Sequence, residues 1–371
     1  MQASLGYLFW HDPYFMKSLH LTPLRMFSWM GTFVLSVILL WTVIEFIVLR
    51  GETPPITNDS GEMVHGSIAS LEQISLGGVS QFILIRGSDS TKPLVLFLHG
   101  GPGMPAMYLA HAFQRDLENH FVIVHWDQRG TGKSYRAGVL SDSLTLRQTL
   151  NDLFELTQYL LERFQKNRLI LVAHSWGTLL GLLAVREHPQ YYAAYVGTGQ
   201  MSADSLRRYV TQRRFLFNMA RAHGDEELIT WLFRGGAVRE DDIYRYGGGL
   251  RGAESFLPIL LTGLRASEYD LFDAINVPRG SSMVSRRMRV DVRNSDFDRD
   301  LVTFQIPIYF FLGRHDYVTP SVLASEYFET LEAPSKELVW FESSAHFPFW
   351  EEQRKFTSEM LRLSERISPC F

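Results

Sequence analysis

A serine, an aspartate and a histidine, far apart in a chain of 371 residues, each stand at or just past the end of an apolar run. Ser175 ends "LILVAHS", Asp316 follows "IYFFLG" and His346 follows "LVWFES". A serine hydroxyl is a poor nucleophile until a histidine takes its proton and an acid orients that histidine. Taken singly, each residue has a plainer reading. Ser175 could cap a helix, Asp316 could cap a turn, and with twelve histidines in the chain any one of them says little. Three correct types in the order Ser, Asp, His, each at the end of its own expected strand, point to acyl transfer through a covalent intermediate.

The surroundings of Ser175 fit that chemistry. In "LILVAHSWGTLLGLL" a buried strand would end at His174 and a helix rich in small residues would begin at once. Such a strand–turn–helix exposes a serine hydroxyl on a strained turn, and small residues two positions to either side let strand and helix approach. Gly177 meets that need, whereas Ala173 stands where a first glycine is usual. His174 adjoins the serine and is expected to point away from its side chain. The tetrahedral intermediate also needs preorganised donors. The amide of Trp176, directly after the serine, is one candidate, and the amide of Gly101 in "HGGPG" (His99 to Gly103) is the other.

A third motif, "DQRGTGKS" from Asp127 to Ser134, has the look of a phosphate-binding loop. Its spacing excludes that. Asp127 occupies the position of the first glycine, where a carboxylate would repel phosphate, and more loop follows where a helix should open. Together, HGGPG, DQRGTGKS and AHSWG resemble the motifs of the prolyl aminopeptidase (proline iminopeptidase) family of α/β hydrolases. The resemblance spans roughly residues 68 to 365. It implies that Ser175, Asp316 and His346 form the triad and that the acyl group comes from a small N-terminal residue, proline first. It also implies that Asp127 and Arg129 brace a loop beside the oxyanion strand. AHSWG departs from the family's GGSWG, and no segment matches those that hold the substrate's free amino group. Proline specificity therefore does not carry over with the triad.

The elements that must position these residues are legible. "FILIR" (Phe82–Arg86), "LVLFLHG" (Leu94–Gly100), "FVIVHWD" (Phe121–Asp127), "LILVAHS" (Leu169–Ser175), "YAAYVGTG" (Tyr192–Gly199), "IYFFLG" (Ile308–Gly313) and "LVWFES" (Leu338–Ser343) read as buried strands. Near-continuous apolar strands are what a parallel sheet covered on both faces requires. Helices are expected over Leu146 to Gln165 and Trp176 to Glu187, the second stopped by His188-Pro189. The class is α/β, an α/β-hydrolase fold with a mostly parallel doubly wound sheet. Its core is expected in two parts, 68–200 and 304–371, separated by a helical cap over 201–303 that reads as several short helices. Acidic side chains there (Glu226, Glu227, Glu240, Asp241, Asp242, Glu254 and Glu268) are candidates to hold a substrate ammonium.

The N-terminal part reads as a separate object. Met26 to Leu49 is almost wholly apolar with one charge, Glu45, and as a helix would extend about 36 Å. That exceeds a hydrocarbon core of about 30 Å, and the run is too long for a signal peptide's apolar region. The expectation is an N-terminal segment (1–25), a single-pass transmembrane anchor (26–49) and a linker (50–67), hence a membrane protein. Lys17 and Arg25 before the span and Arg50 after it lean weakly toward a cytoplasmic N-terminus.

A net charge of −4 gives no reason to expect a nucleic-acid partner. The single cysteine, Cys370, excludes an internal disulfide and a cysteine-based metal site. The expected chemistry uses no cofactor and no metal. An esterase or small-amide hydrolase on small acyl substrates stays open as an alternative, and so does a non-catalytic receptor, since one fold hosts many functions.

Overall fold

The computed structural model describes residues 23–48, 51–135, 141–202, 205–263, 266–293 and 301–367. The chain forms two compact units, Met1–Arg50 and Gly51–Phe371. Cys370 lies outside the described residues, as do Lys17 and Arg50.

In the first unit, helix α1 runs from Pro23 to Val48. The hydroxyls of Thr32, Ser36 and Thr42 turn back onto carbonyls four residues earlier. The membrane anchor expected over 26–49 is not upheld, nor are the membrane localisation and membrane partner that went with it. Among the described residues no helix is long and apolar enough to cross a membrane.

The second unit is built on one eight-stranded sheet of order β1-β2-β4-β3-β5-β6-β7-β8. Its strands are β1 (Ile68–Leu76), β2 (Val79–Gly87), β3 (Leu94–Leu98), β4 (Val122–Asp127), β5 (Leu169–His174), β6 (Tyr192–Thr198), β7 (Ile308–Gly313) and β8 (Lys336–Phe341). β1 and β2 pair antiparallel at one edge, and β3 to β8 are all parallel. Every residue of β3, β4, β5, β6 and β7 is buried. That is why these strands read as unbroken apolar runs. β1 was not anticipated: "IASLEQISL" is mostly half-exposed and carries polar residues between its apolar ones.

Segment 51–67, expected as a linker, folds against this unit. Gly51 donates to the Ser267 carbonyl at 2.7 Å, and Arg86 donates to Thr53 Oγ1 and the Pro54 carbonyl, both at 2.6 Å.

Two helices position the loops that matter. α3 (Leu146–Phe164) starts on Thr145, whose side chain accepts the Gln148 amide. Leu150, Leu153, Leu156 and Leu160, at helical spacing, are all buried against the sheet. Each contributes about 1.5–3 kcal/mol by burial. α4 (Gly177–Glu187) follows β5 after a single turn. A side chain at Gly177 would come within 2.6 Å of the His99 carbonyl, and one at Gly181 within 3.1 Å of the Ala173 methyl. The absence of a side chain at Gly181 therefore makes room for the methyl that Ala173 puts where a glycine is usual.

Between β6 and β7 come α5 (Ser205–His223), α6 (Glu226–Phe233), α7 (Glu240–Arg245), α8 (Leu257–Gly263) and α9 (Leu271–Arg293). The region is helical as expected, but α5 and α9, at 19 and 23 residues, are long.

Candidate active site

β3, β4, β5, β7 and β8 all end at one edge of the sheet, and the loops leaving those ends build the site. Ser175, directly after β5, has φ +54°, a left-handed conformation that a residue with a side chain adopts only under constraint. The constraint is visible. Its amide donates to the Thr198 carbonyl at 3.0 Å, and its carbonyl accepts the Thr178 amide and hydroxyl. Gly100 presses on it so closely that a methyl there would sit 2.9 Å from the Ser175 Cβ.

Asp316 and His346 meet as the sequence order anticipated. His346 Nδ1 donates to Asp316 Oδ2 at 2.8 Å, and both residues are buried. The carboxylate is fully engaged: Thr319 Oγ1 donates to Oδ2, and the Val318 and Thr319 amides donate to Oδ1. Burial works against a charge on His346, but the Asp316 carboxylate, helped by Glu240 and Glu351, more than offsets it. The pKa of His346 is held above the ordinary histidine value. Ser175 and His346 line one cavity of about 300 Å³. No hydrogen bond joins them, and such bonds are often loose before substrate binds.

Gly101 lines the same cavity and has φ +118°, which only glycine adopts without strain. Trp176 occupies the N-cap of α4, so its amide precedes the intrahelical ladder and has no partner within it. Gly101 thus lines the cavity, and Trp176 adjoins Ser175 without being among the lining residues.

The two flanking motifs are tied together by a buried histidine. His99 Nδ1 donates to the Gly100 carbonyl at 2.8 Å, and its Nε2 accepts the Gln128 amide at 3.3 Å. Burial pushes its pKa down to about 4, so it bridges the loops as a neutral ring. In DQRGTGKS, Arg129 forms a two-pronged pair with Asp152 on α3 at 2.8 Å and also donates to the Leu76 and Gly77 carbonyls. Asp127 accepts the Lys133 amide and the Tyr269 hydroxyl, and Lys133 pairs with Asp273 at 2.6 Å. The lysine is committed to a carboxylate of α9 and the aspartate to holding the loop. This is a brace between sheet and helices, as expected, and not a phosphate cradle.

Sequence reasoning left one residue out of the site. His174, expected to point away from the Ser175 side chain, puts its ring 4.7 Å from that of His346 and lines the cavity. Its Nδ1 donates to the Thr198 carbonyl at 3.2 Å. Burial, then the nearby His346, pulls its pKa well below the ordinary value. Gly199, just past β6, also meets His346: a methyl there would lie 2.8 Å from its ring.

The helices between β6 and β7 complete the wall. Glu240, Asp241 and Tyr244 of α7, Phe256 and Ile259 beside and within α8, and Ser281 and Ser285 of α9 face the cavity. Of the seven acidic candidates, only Glu240 and Asp241 line it. Asp242 pairs with Arg239, Glu268 is buried against His111 at 2.6 Å, and Glu226, Glu227 and Glu254 are exposed elsewhere. Glu240 lines the cavity and is itself solvent-exposed. Desolvation by the neighbouring protein raises its pKa, with His346 opposing the rise and Asp241 and Asp316 adding to it.

The model of the Alpha/beta hydrolase family matches residues 95–359. "Probable aminopeptidase YbaC" of Bacillus subtilis (strain 168) is 31% identical over 310 residues, covering 80% of this chain and 96% of its own. A proline iminopeptidase of Saccharolobus solfataricus is 24% identical over 294 residues, covering 76% of this chain and 88% of its own. The crystal structure of a proline iminopeptidase-related protein from Thermus thermophilus aligns with a TM-score of 0.58 at 18% identity, covering 82% of this chain and 100% of that one. The matched span includes the loops after β5, β7 and β8; the chain belongs to the alpha/beta hydrolase family and is related within it to the proline iminopeptidases.

Proposed function

We propose that the protein is a serine hydrolase that releases proline or another small residue from the N-terminus of a short peptide. The observation that carries this reading is the meeting of Ser175, the Asp316–His346 pair and the Glu240 carboxylate in one cavity of about 300 Å³. Ser175 Oγ attacks the carbonyl carbon of the first residue while His346 Nε2 takes its proton. Asp316, bonded to Nδ1, holds the tautomer and stabilises the imidazolium. The oxyanion is received by the amides of Trp176 and Gly101. Collapse breaks the C–N bond, and the leaving amine takes the proton from His346. Water, deprotonated by the same histidine, then frees the acyl group and restores Ser175. Residues 201–303 serve as the cap that closes the site, between core segments 68–200 and 304–371. Glu240, with Asp241 beside it, receives the substrate's α-ammonium, because a buried cation needs such a partner.

The substrate test compares the purified chain on prolyl-anilide, N-blocked prolyl-anilide and short acyl esters. The free-amine compound should be cleaved and the blocked one refused. Glu240→Gln should raise KM for the free amine and lower kcat/KM roughly 10- to 100-fold, the worth of a hydrogen bond to a charged group. Equal rates on the blocked compound, or a Glu240→Gln enzyme with unchanged kcat/KM, would remove amine recognition from the reading. The apolar wall made by Met104, Leu109, Phe256, Ile259 and Phe347 favours esterase action on small acyl groups as the second reading. Turnover confined to the esters would select it.

The pH profile tests His346 by itself. The base must be neutral, and its pKa lies above the ordinary value of about 6.5. The rate should therefore be lost as pH falls through a value above 6.5. Asp316→Asn removes the largest upward influence and leaves burial opposed only by the weaker pull of Glu240 and Glu351, so the acid limb of kcat/KM should move to lower pH while the rate drops. A limb that stays in place in Asp316→Asn would dissociate it from this pair.

A further inference from the structure

A second cavity, of about 560 Å³, opens on the other side of the loop that carries Asp316. It shares no lining residue with the first. The loop 315–319 divides its side chains between the two. Asp316 reaches His346 and Val318 lines the first cavity, while His315 and Tyr317 line the second. The opposite wall is α5, which also grips the loop, since Gln212 Nε2 donates to the Tyr317 and Val318 carbonyls at 3.1 and 2.9 Å.

The charge in this second cavity is one-sided. Among the described residues, Arg214, Arg251 and His315 line it, and no aspartate or glutamate does. Arg214 and Arg251 are exposed, and among the described residues neither guanidinium has an ion-pair or hydrogen-bond partner. Four neighbouring arginines are committed. Arg207 pairs with Glu326, Arg239 with Asp242 and Arg245 with Asp225, while Arg213 is bound to carbonyls. A protein surface that satisfies those four leaves these two open toward the same space. The nearby carboxylates lie outside this lining: Glu254 is in an adjoining hollow that shares Arg251, Glu351 accepts the Arg251 amide, Asp225 accepts the Tyr246 hydroxyl, Glu342 lies beside His315, and Asp316 turns to His346.

The cavity also offers a flat apolar surface. The rings of Phe215 and Tyr317 are stacked with centroids 3.8 Å apart and planes 12° from parallel, and both residues line it. Two unpartnered planar forks beside an aromatic block match a ligand that carries an oxyanion on a flat body. We infer that this cavity is a binding site for a small organic anion, a carboxylate or phosphate borne on an aromatic or similarly flat group. Its occupant would stand one peptide away from Asp316.

Calorimetry on the full chain with four probes tests this: phenyl phosphate, benzoate, benzamide and inorganic phosphate. Phenyl phosphate should bind at least 10-fold more tightly than inorganic phosphate, and benzoate at least 10-fold more tightly than its neutral analogue benzamide. The double variant Arg214→Gln/Arg251→Gln should lose at least 10-fold in affinity for phenyl phosphate. Both side chains are exposed, so its melting temperature should match that of the parent. Asn218→Trp, which fills the cavity and removes no charge, should weaken binding to a similar degree. Benzamide binding as well as benzoate, or unchanged affinity in both variants, would overturn the inference. Inorganic phosphate binding as tightly as phenyl phosphate would overturn it too, because the aromatic surface would then play no part.

Discussion

Ser175→Ala should abolish hydrolysis, with kcat falling on the order of 10⁴- to 10⁶-fold, and should abolish labelling by a fluorophosphonate probe. The size follows from the catalytic unit to which the proposed function assigns Ser175. A nucleophile, its base and the orienting acid act together, so removing one costs nearly as much as removing all. What survives is binding and the oxyanion donors, which still stabilise the transition state for attack by water. The fold should be indifferent to the change. The Ser175 turn is held by backbone groups, the amide to Thr198 and the carbonyl to Thr178, and alanine keeps both. Thermal melting of the variant should therefore coincide with that of the parent. Probe labelling of Ser175→Ala at full level on another serine would sink the assignment, whatever happened to turnover.

Asp152→Ala should have the largest effect on stability, about 3–5 kcal/mol, because it strips the partner from a buried guanidinium. Asp152 and Arg129 are both buried, with the two guanidinium contacts at 2.8 Å. The same carboxylate also accepts the side-chain amides of Gln81 at 2.8 Å and Gln148 at 2.9 Å. Alanine would leave a desolvated positive charge and two orphaned donors, and carbonyl oxygens of Leu76 and Gly77 alone cannot neutralise the charge. The pair joins α3, the β1–β2 turn and the DQRGTGKS loop, so the loss falls on the framework beneath the site. A control is at hand in Arg147–Glu187, an exposed pair in which Arg147 is 64% accessible. Glu187→Ala should cost less than about 1 kcal/mol. Urea unfolding of the three proteins measures both numbers. A loss below about 1 kcal/mol for Asp152→Ala would mean that Arg129 finds water or another partner.

The sequence by itself determined which residues leave the ends of which strands. Parallel strands buried on both faces must be apolar along their length, so β3, β4, β5, β6 and β7 stand out locally, and Ser175, Asp316 and His99 are found by counting from them. The same local signal fails where burial is partial. β1 lies at the sheet edge, pairs with β2 alone and carries Ser70, Glu72, Gln73 and Ser75 among its apolar residues, so no run announces it. The membrane anchor expected from hydropathy at the N-terminus is not upheld, since among the described residues no helix is long and apolar enough to cross a membrane.

Only the tertiary structure selected Glu240 and Asp241 from seven acidic candidates, since that choice depends on how α7 packs over the sheet edge. Only it set His174 against His346 and brought Gly199 within reach of the same ring. These neighbours are about 150 to 170 positions apart in the chain, and hydrophobic periodicity records which face of an element is buried, not which distant side chain it meets there.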